Sequence, residues 1–131
     1  MDTSQYQHYA DELHQAWVSR ETVAPLTDRE PDITVADGYQ IQLRMIQHRI
    51  DAGEHVVGRK IGVTSKVVMD MFNVKTPDFG HLLSGMVLSE GEPVQMGQLI
   101  APRAAAEVAI VLKRDLQGPG VDLGTVSMRF V

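Results

Sequence analysis

Up to Ile50, apolar residues recur at steps of three and four; after Gly53 they come in short runs broken by glycine. That change of period divides the chain into a helical part, 1–53, and a strand-rich part, 54–121, with a last strand expected over 122–131. In the first part, Tyr6, Tyr9, Leu13 and Trp17 mark one face of a helix from Ser4 to Arg20. A linker from Glu21 to Asp32 carries Pro25 and Pro31. Thr34 with Asp37 three residues on is a short capping box, and Val35, Tyr39, Leu43, Ile46 and Ile50 give a second amphipathic helix that Gly53 stops.

The run from His55 to Val63 reads as a buried strand, with Thr64 and Ser65 as caps for a helix from about Lys66 to Phe72 that turns Val68, Met69 and Phe72 inward. Thr76 to Gly80 is a loop by its proline and glycine, and short strands are expected at Met86 to Leu88 and Leu99 to Ala101. The nearly continuous apolar segment Arg103 to Leu112 reads as a further strand. The fold class is therefore α+β, one domain over 1–131, with helices first and a mixed β core after them.

Composition narrows the chemistry. A chain of 131 residues with 44% apolar and 22% charged residues holds one hydrophobic core. Without cysteine it has no disulfide, thiolate nucleophile or cysteine zinc site, and the histidines at 8, 14, 48, 55 and 81 lack zinc-module spacing. Net charge is −5 with scattered Lys and Arg, which argues against nucleic acid. No apolar run approaches the roughly 18 residues of a membrane helix, and the polar start is unlike a signal peptide, so a cytoplasmic location is expected.

Three residues stand out against their surroundings. Glu107 projects from an aliphatic strand, where a carboxylate needs a cation, a metal or donors; an edge-strand glutamate in solvent is the other reading. Lys60 lies between Val57 and Ile61, flanked by Gly58 and Gly62, as a buried acid, base or clamp, or else as a snorkelling surface lysine. Asp78 after Pro77 is either a working carboxylate or turn chemistry.

Their order carries more than any one of them. Gly-Arg-Lys-Ile-Gly-Val-Thr-Ser (58–65), Thr-Pro-Asp-Phe-Gly (76–80) and Pro-Arg-Ala-Ala-Ala-Glu-Val-Ala (102–109) resemble, in that sequence, the 2-oxopent-4-enoate (2-hydroxypenta-2,4-dienoate) hydratases of aromatic meta-cleavage pathways. These are relatives of 4-oxalocrotonate decarboxylase in the fumarylacetoacetate hydrolase superfamily. The resemblance extends from Arg20-Glu21-Thr22-Val23 and Pro25-Leu26-Thr27 to Leu112-Lys113-Arg114-Asp115-Leu116 and Gly118-Pro119-Gly120-Val121. It implies a strand-rich core of the superfamily's type, a hydro-lyase acting on a small dienoic 2-oxo acid, and a divalent Mg or Mn ion acting as Lewis acid. It implies Lys60 as the active-site lysine, Asp78 as the carboxylate for proton transfer or water orientation, and Glu107 as a metal ligand.

Two departures follow from the same resemblance. The family's Glu-x-Glu on the last strand has Ala105 in its first position here, which removes one hard oxygen ligand. Relatives also continue past Gly118-Pro119-Gly120 with a further half bearing a third metal carboxylate, whereas 122–131 resembles their final strand, so the expected core is incomplete. The alternatives to a working hydratase are an inactive family member serving as an interaction subunit, a 4-oxalocrotonate decarboxylase, and a small acidic binding domain with a structural Lys60–Glu107 ion pair. Unpaired strand edges lead to an expectation of homo-oligomers, with the pathway decarboxylase as a possible partner.

Overall fold

A computed structural model describes residues 1–113 and 115–127. The chain divides into two compact units, Met1–Ile100 and Ala101–Val131. The first contains α1 (Thr3–Ser19), α2 (Leu26–Arg29), α3 (Val35–Asp51), β1 (Val56–Gly62), α4 (Lys66–Phe72) and β2 (Asp78–Leu83), followed by two single 3-10 turns. The second contains α5 (Leu123–Ser127).

Both long helices begin at boxes written in the sequence. Asp2 Oδ1 accepts from the Gln5 amide at 2.9 Å while Gln5 Oε1 accepts from the Asp2 amide at 2.9 Å. Thr34 Oγ1 accepts from the Asp37 amide at 3.2 Å, and Asp37 Oδ2 accepts from the Thr34 amide at 2.9 Å. These satisfy amide groups that the first helical turn leaves without partners. Ser65 caps α4 in the same way, accepting from the Val68 amide at 3.2 Å.

α1 packs on α3 around Tyr9, Ala10 and Ile41, with Tyr6, Leu13, Met45 and Leu26 of α2 against them. The α3 face turned to this core is a correction to the apolar-stripe expectation. Its buried residues are Asp37, Ile41 and Arg49, at steps of four and eight, whereas Val35 and Leu43 of the apolar stripe are exposed. Hydrogen bonding explains the choice. The Tyr6 hydroxyl donates to Asp37 Oδ1 at 2.6 Å, and Arg49 makes a two-pronged pair with Glu54 at 2.6 and 2.8 Å. The guanidinium also lies 4.3 Å from the Trp17 ring centre, so each buried charge is met.

His48 to Asp11 at 2.7 Å also joins α3 to α1, while Tyr9 hydroxyl to Glu30 at 2.6 Å and Arg29 to Glu12 at 2.7 Å tie α2 and its end to α1. His14 stacks on His48 at 4.7 Å, and its buried Nδ1 has no hydrogen-bond partner among the described residues.

β1 and β2 form an antiparallel hairpin with α4 as its connection, in the register Gly58↔Leu82, Arg59↔His81, Lys60↔Gly80, Ile61↔Phe79 and Gly62↔Asp78. Its root is tied to α3 through Glu54, whose Oε2 accepts from the Gly85 amide at 3.0 Å. A Cβ at position 85 would stand 2.7 Å from that oxygen, so only glycine fits without displacing the carboxylate. The outer edge of β2 is met by α3: the Phe79 amide donates to Tyr39 Oη at 3.1 Å, and Gln42 Nε2 donates to the Phe79 carbonyl at 3.2 Å.

Several expectations are revised. Most of β1, including Lys60, is exposed, because a two-stranded ribbon has little apolar surface to share. Asp78 to Gly80 belong to β2 and not to a loop. Phe72 on α4 is 61% exposed, so the inward face holds only for the half-buried Val68 and Met69. Met86 to Leu88, Leu99 to Ala101 and Arg103 to Val111 join no ladder; Leu112 makes a lone bridge. A strand exists only with a hydrogen-bonded neighbour, and β propensity alone supplies none. Where a last strand was expected, Leu123–Ser127 is helical because Asp122 Oδ1 accepts from the Thr125 amide at 2.7 Å; 128–131 lie outside the described residues.

Candidate active site

Strand alternation sorts the hairpin residues into two faces. Gly58, Lys60 and Gly62 share one face with Leu82, Gly80 and Asp78, while Arg59 and Ile61 share the other with His81 and Phe79. Lys60 is opposite Gly80 and Asp78 is opposite Gly62, so lysine and aspartate are diagonal neighbours, about 7–8 Å apart at the backbone.

The positions that would separate them have no side chains. A Cβ at Gly80 would meet nothing within 4 Å, and one at Gly62 would touch only the Asp78 Cβ, at 4.0 Å. The two charged groups thus flank an open floor of backbone onto which a small planar molecule can lie. Both are exposed at its sides. At the strand end, Val63 holds φ at 53°, an unfavourable conformation for a β-branched residue, and turns the chain from β1 into the Ser65 cap of α4. Such strain is characteristic of segments held by function.

Asp78 also borders a shallow cleft of about 310 Å³ with Val35, Gly38, Tyr39, Gln42 and Phe79. The structure therefore brings Lys60 and Asp78 together on one face. Glu107 belongs to the second unit, where it is exposed in the segment that forms neither helix nor strand. Two residues before it, Ala105 offers no ligand. Among the described residues, no group of three or more His, Asp or Glu side chains is arranged to hold a metal ion. Among the described residues, the donor set does not fit a resident Mg or Mn ion.

Sequence reasoning passed over the opposite hairpin face, where Arg59, Ile61, Phe79 and His81 look toward α3. Burial, with the nearby Arg59 charge, holds His81 below the usual histidine range. The signal was available: residues flanking Lys60 in a strand must leave on the other side.

No family model matches the chain. It is 53% identical over 122 residues to a 2-hydroxypent-2,4-dienoate hydratase of Pseudomonas putida, covering 92% of this chain and 55% of that protein. It is 52% identical over 111 residues to a 2-hydroxyhexa-2,4-dienoate hydratase of Comamonas testosteroni, covering 83% of this chain and 42% of the relative. Among solved structures, 4-oxalocrotonate decarboxylase from Pseudomonas putida G7, complexed with magnesium and adipate, superposes with a TM-score of 0.92 at 30% identity, covering 99% of this chain and 49% of that one.

The architecture is thus that of about half of a fumarylacetoacetate hydrolase-like protein, α+β in class. Within that superfamily, the chain is homologous to proteins named as 2-hydroxydienoate hydratases and spans about half the length of the curated relatives it matches. Among the described residues, no helix is long and apolar enough to cross a membrane.

Proposed function

We propose that this chain carries the proton-handling part of a hydratase that converts 2-hydroxypenta-2,4-dienoate and water into 4-hydroxy-2-oxopentanoate. The observation that supports it is the Lys60–Asp78 diagonal over a glycine floor, in a chain 53% identical to a hydratase over 92% of its length. The Lys60 ammonium attracts the anionic 1-carboxylate and the 2-oxygen, and steadies negative charge as the dienol loses its 2-hydroxyl proton and gains a proton at C5, giving the isomeric unsaturated 2-oxo acid. Asp78 accepts a proton from the water that attacks C4, and that proton is delivered to C3. One water is added and nothing is oxidised.

The solved neighbours were complexed with magnesium or calcium, and Glu107 is the residue of this chain that the family resemblance implies as a ligand for such an ion. With Ala105 beside it and no metal-competent cluster among the described residues, no step is assigned to an ion. A decarboxylase reading is weaker, since identity to that neighbour is 30% against 53% to the hydratase.

The second reading, an interaction subunit without turnover, is favoured by Ala105, which stands where the family resemblance implies a carboxylate. Loss of dienoate absorbance, followed with and without added Mg or Mn for this chain and for Lys60→Ala, separates the two. Turnover abolished by Lys60→Ala supports the hydratase. An absence of turnover in every condition, joined to co-sedimentation with a full-length hydratase, supports the subunit.

A further inference from the structure

Between α3 and the hairpin face that does not carry Lys60 lies a groove of about 480 Å³, within the size range of small-molecule sites. Tyr39 and Leu43 form one wall and Ile61 and Phe79 the other, with Arg59 and His81 supplying polar groups. Alternation in β1 sets Arg59 and Ile61, which line this groove, on the opposite face of the ribbon from Lys60.

Its frame is already fastened. Tyr39 and Gln42 hold the Phe79 backbone at 3.1 and 3.2 Å, and Gln42 Oε1 lies 3.3 Å from His81 Nδ1. Arg59 is different: among the described residues, the one hydrogen bond of its side chain is to the adjacent Gly58 carbonyl at 3.5 Å, the outer limit of such a contact. Among the described residues no carboxylate lies within ion-pair distance of it, although acids outnumber bases in this chain by seventeen to twelve. By contrast, the arginines of the helical part reach a carboxylate, an aromatic ring, or both.

A guanidinium fork beside flat apolar walls matches a carboxylate on a planar apolar body, since the fork pairs with both oxygens while the ring takes the walls. We propose that this groove is a second ligand site, distinct from the Lys60–Asp78 face, that binds a small aromatic monocarboxylate through Arg59 and stacks its ring between Leu43, Ile61 and Phe79. With His81 held neutral at neutral pH, Arg59 supplies the groove's charge.

Benzoate is the probe, with benzamide as its uncharged counterpart, read by calorimetry and by the amide resonances of Gly80 and His81. Saturable benzoate binding is expected, at least tenfold tighter than benzamide, and weakened about tenfold in Arg59→Gln, as for loss of one charge-assisted contact. Leu43→Asp, on an exposed helix position, is expected to abolish it while the melting temperature is held. Lys60→Ala is expected to bind benzoate as the parent chain does. Failure of the parent chain to saturate at millimolar benzoate, equal affinity for benzamide, undiminished binding in Arg59→Gln, or loss of binding in Lys60→Ala would each overturn the proposal.

Discussion

The helix pair and the hairpin differ in how deeply they bury their charged residues. Between α1 and α3 the charges are buried and matched: Asp37 by Tyr6 and Thr34, and Arg49 by Glu54 and Trp17. On the hairpin, Lys60, Asp78 and Arg59 stand exposed on a ribbon with glycine at Gly58, Gly62 and Gly80. Matched charges between helices define one packing arrangement and discourage others, whereas exposed charges beside bare backbone are placed to act on something that arrives. Stability and the proposed chemistry are thereby assigned to different elements and can be perturbed separately.

The sharpest separation is expected from Lys60→Ala. Dienoate turnover should fall by about 10²–10⁴, the usual contribution of a positioned acid-base or electrostatic group, with the melting curve unchanged. A large drop in stability would show that Lys60 belongs to the framework instead. Ile41→Ala should do the reverse, removing about 2–5 kcal/mol of stability by opening a cavity in a fully buried position, as read by chemical denaturation.

Acid should act on the helix pair in two stages. His14 is held below its ordinary value of 6.5 by burial and by His48 and Arg49, so the unfolded chain binds its proton more readily and stability falls as pH drops below that value. Asp37 is held far below its ordinary 3.8 by the Thr34 and Tyr6 hydrogen bonds. Its contribution is present above that value and is lost as pH falls through and below it. Melting temperatures across the acid range should show both stages, with His14→Phe removing the first and Asp37→Asn the second; a flat profile in the parent chain would refute the scheme.

The smallest change in stability is expected from Gly80→Ala, within about 0.5 kcal/mol, since the new methyl meets no atom. It would nonetheless stand between Lys60 and Asp78, so turnover should fall while the melting temperature stays put. Unaltered turnover would mean that the glycine floor is not where substrate lies.

What could be read from the sequence follows the range of the forces involved. The helices and their caps at Thr34 and Ser65 were legible because a cap needs only its own next three residues. The inward face of α3 was not, because it is chosen by a hydroxyl and an indole on another helix, which make Asp37 and Arg49 better buried than Val35 or Leu43. The segment 103–111 has the composition of a strand but no neighbour in a ladder, and composition cannot report a neighbour. Lys60 and Asp78 were found as family positions; their diagonal placement needed the register, and Arg59 was overlooked as a mere flank of Lys60.

The side chains that Tyr39 and Gln42 extend to Phe79 give the hairpin a polarity of assembly. A strand approaching β2 along Phe79 would have to break two hydrogen bonds before forming its own, a local barrier to strand addition and to sheet-to-sheet clumping on that side. Enlargement of this sheet is therefore steered toward β1, the strand that carries Lys60, so any segment joining it is guided to the rim of the site where chemistry is proposed.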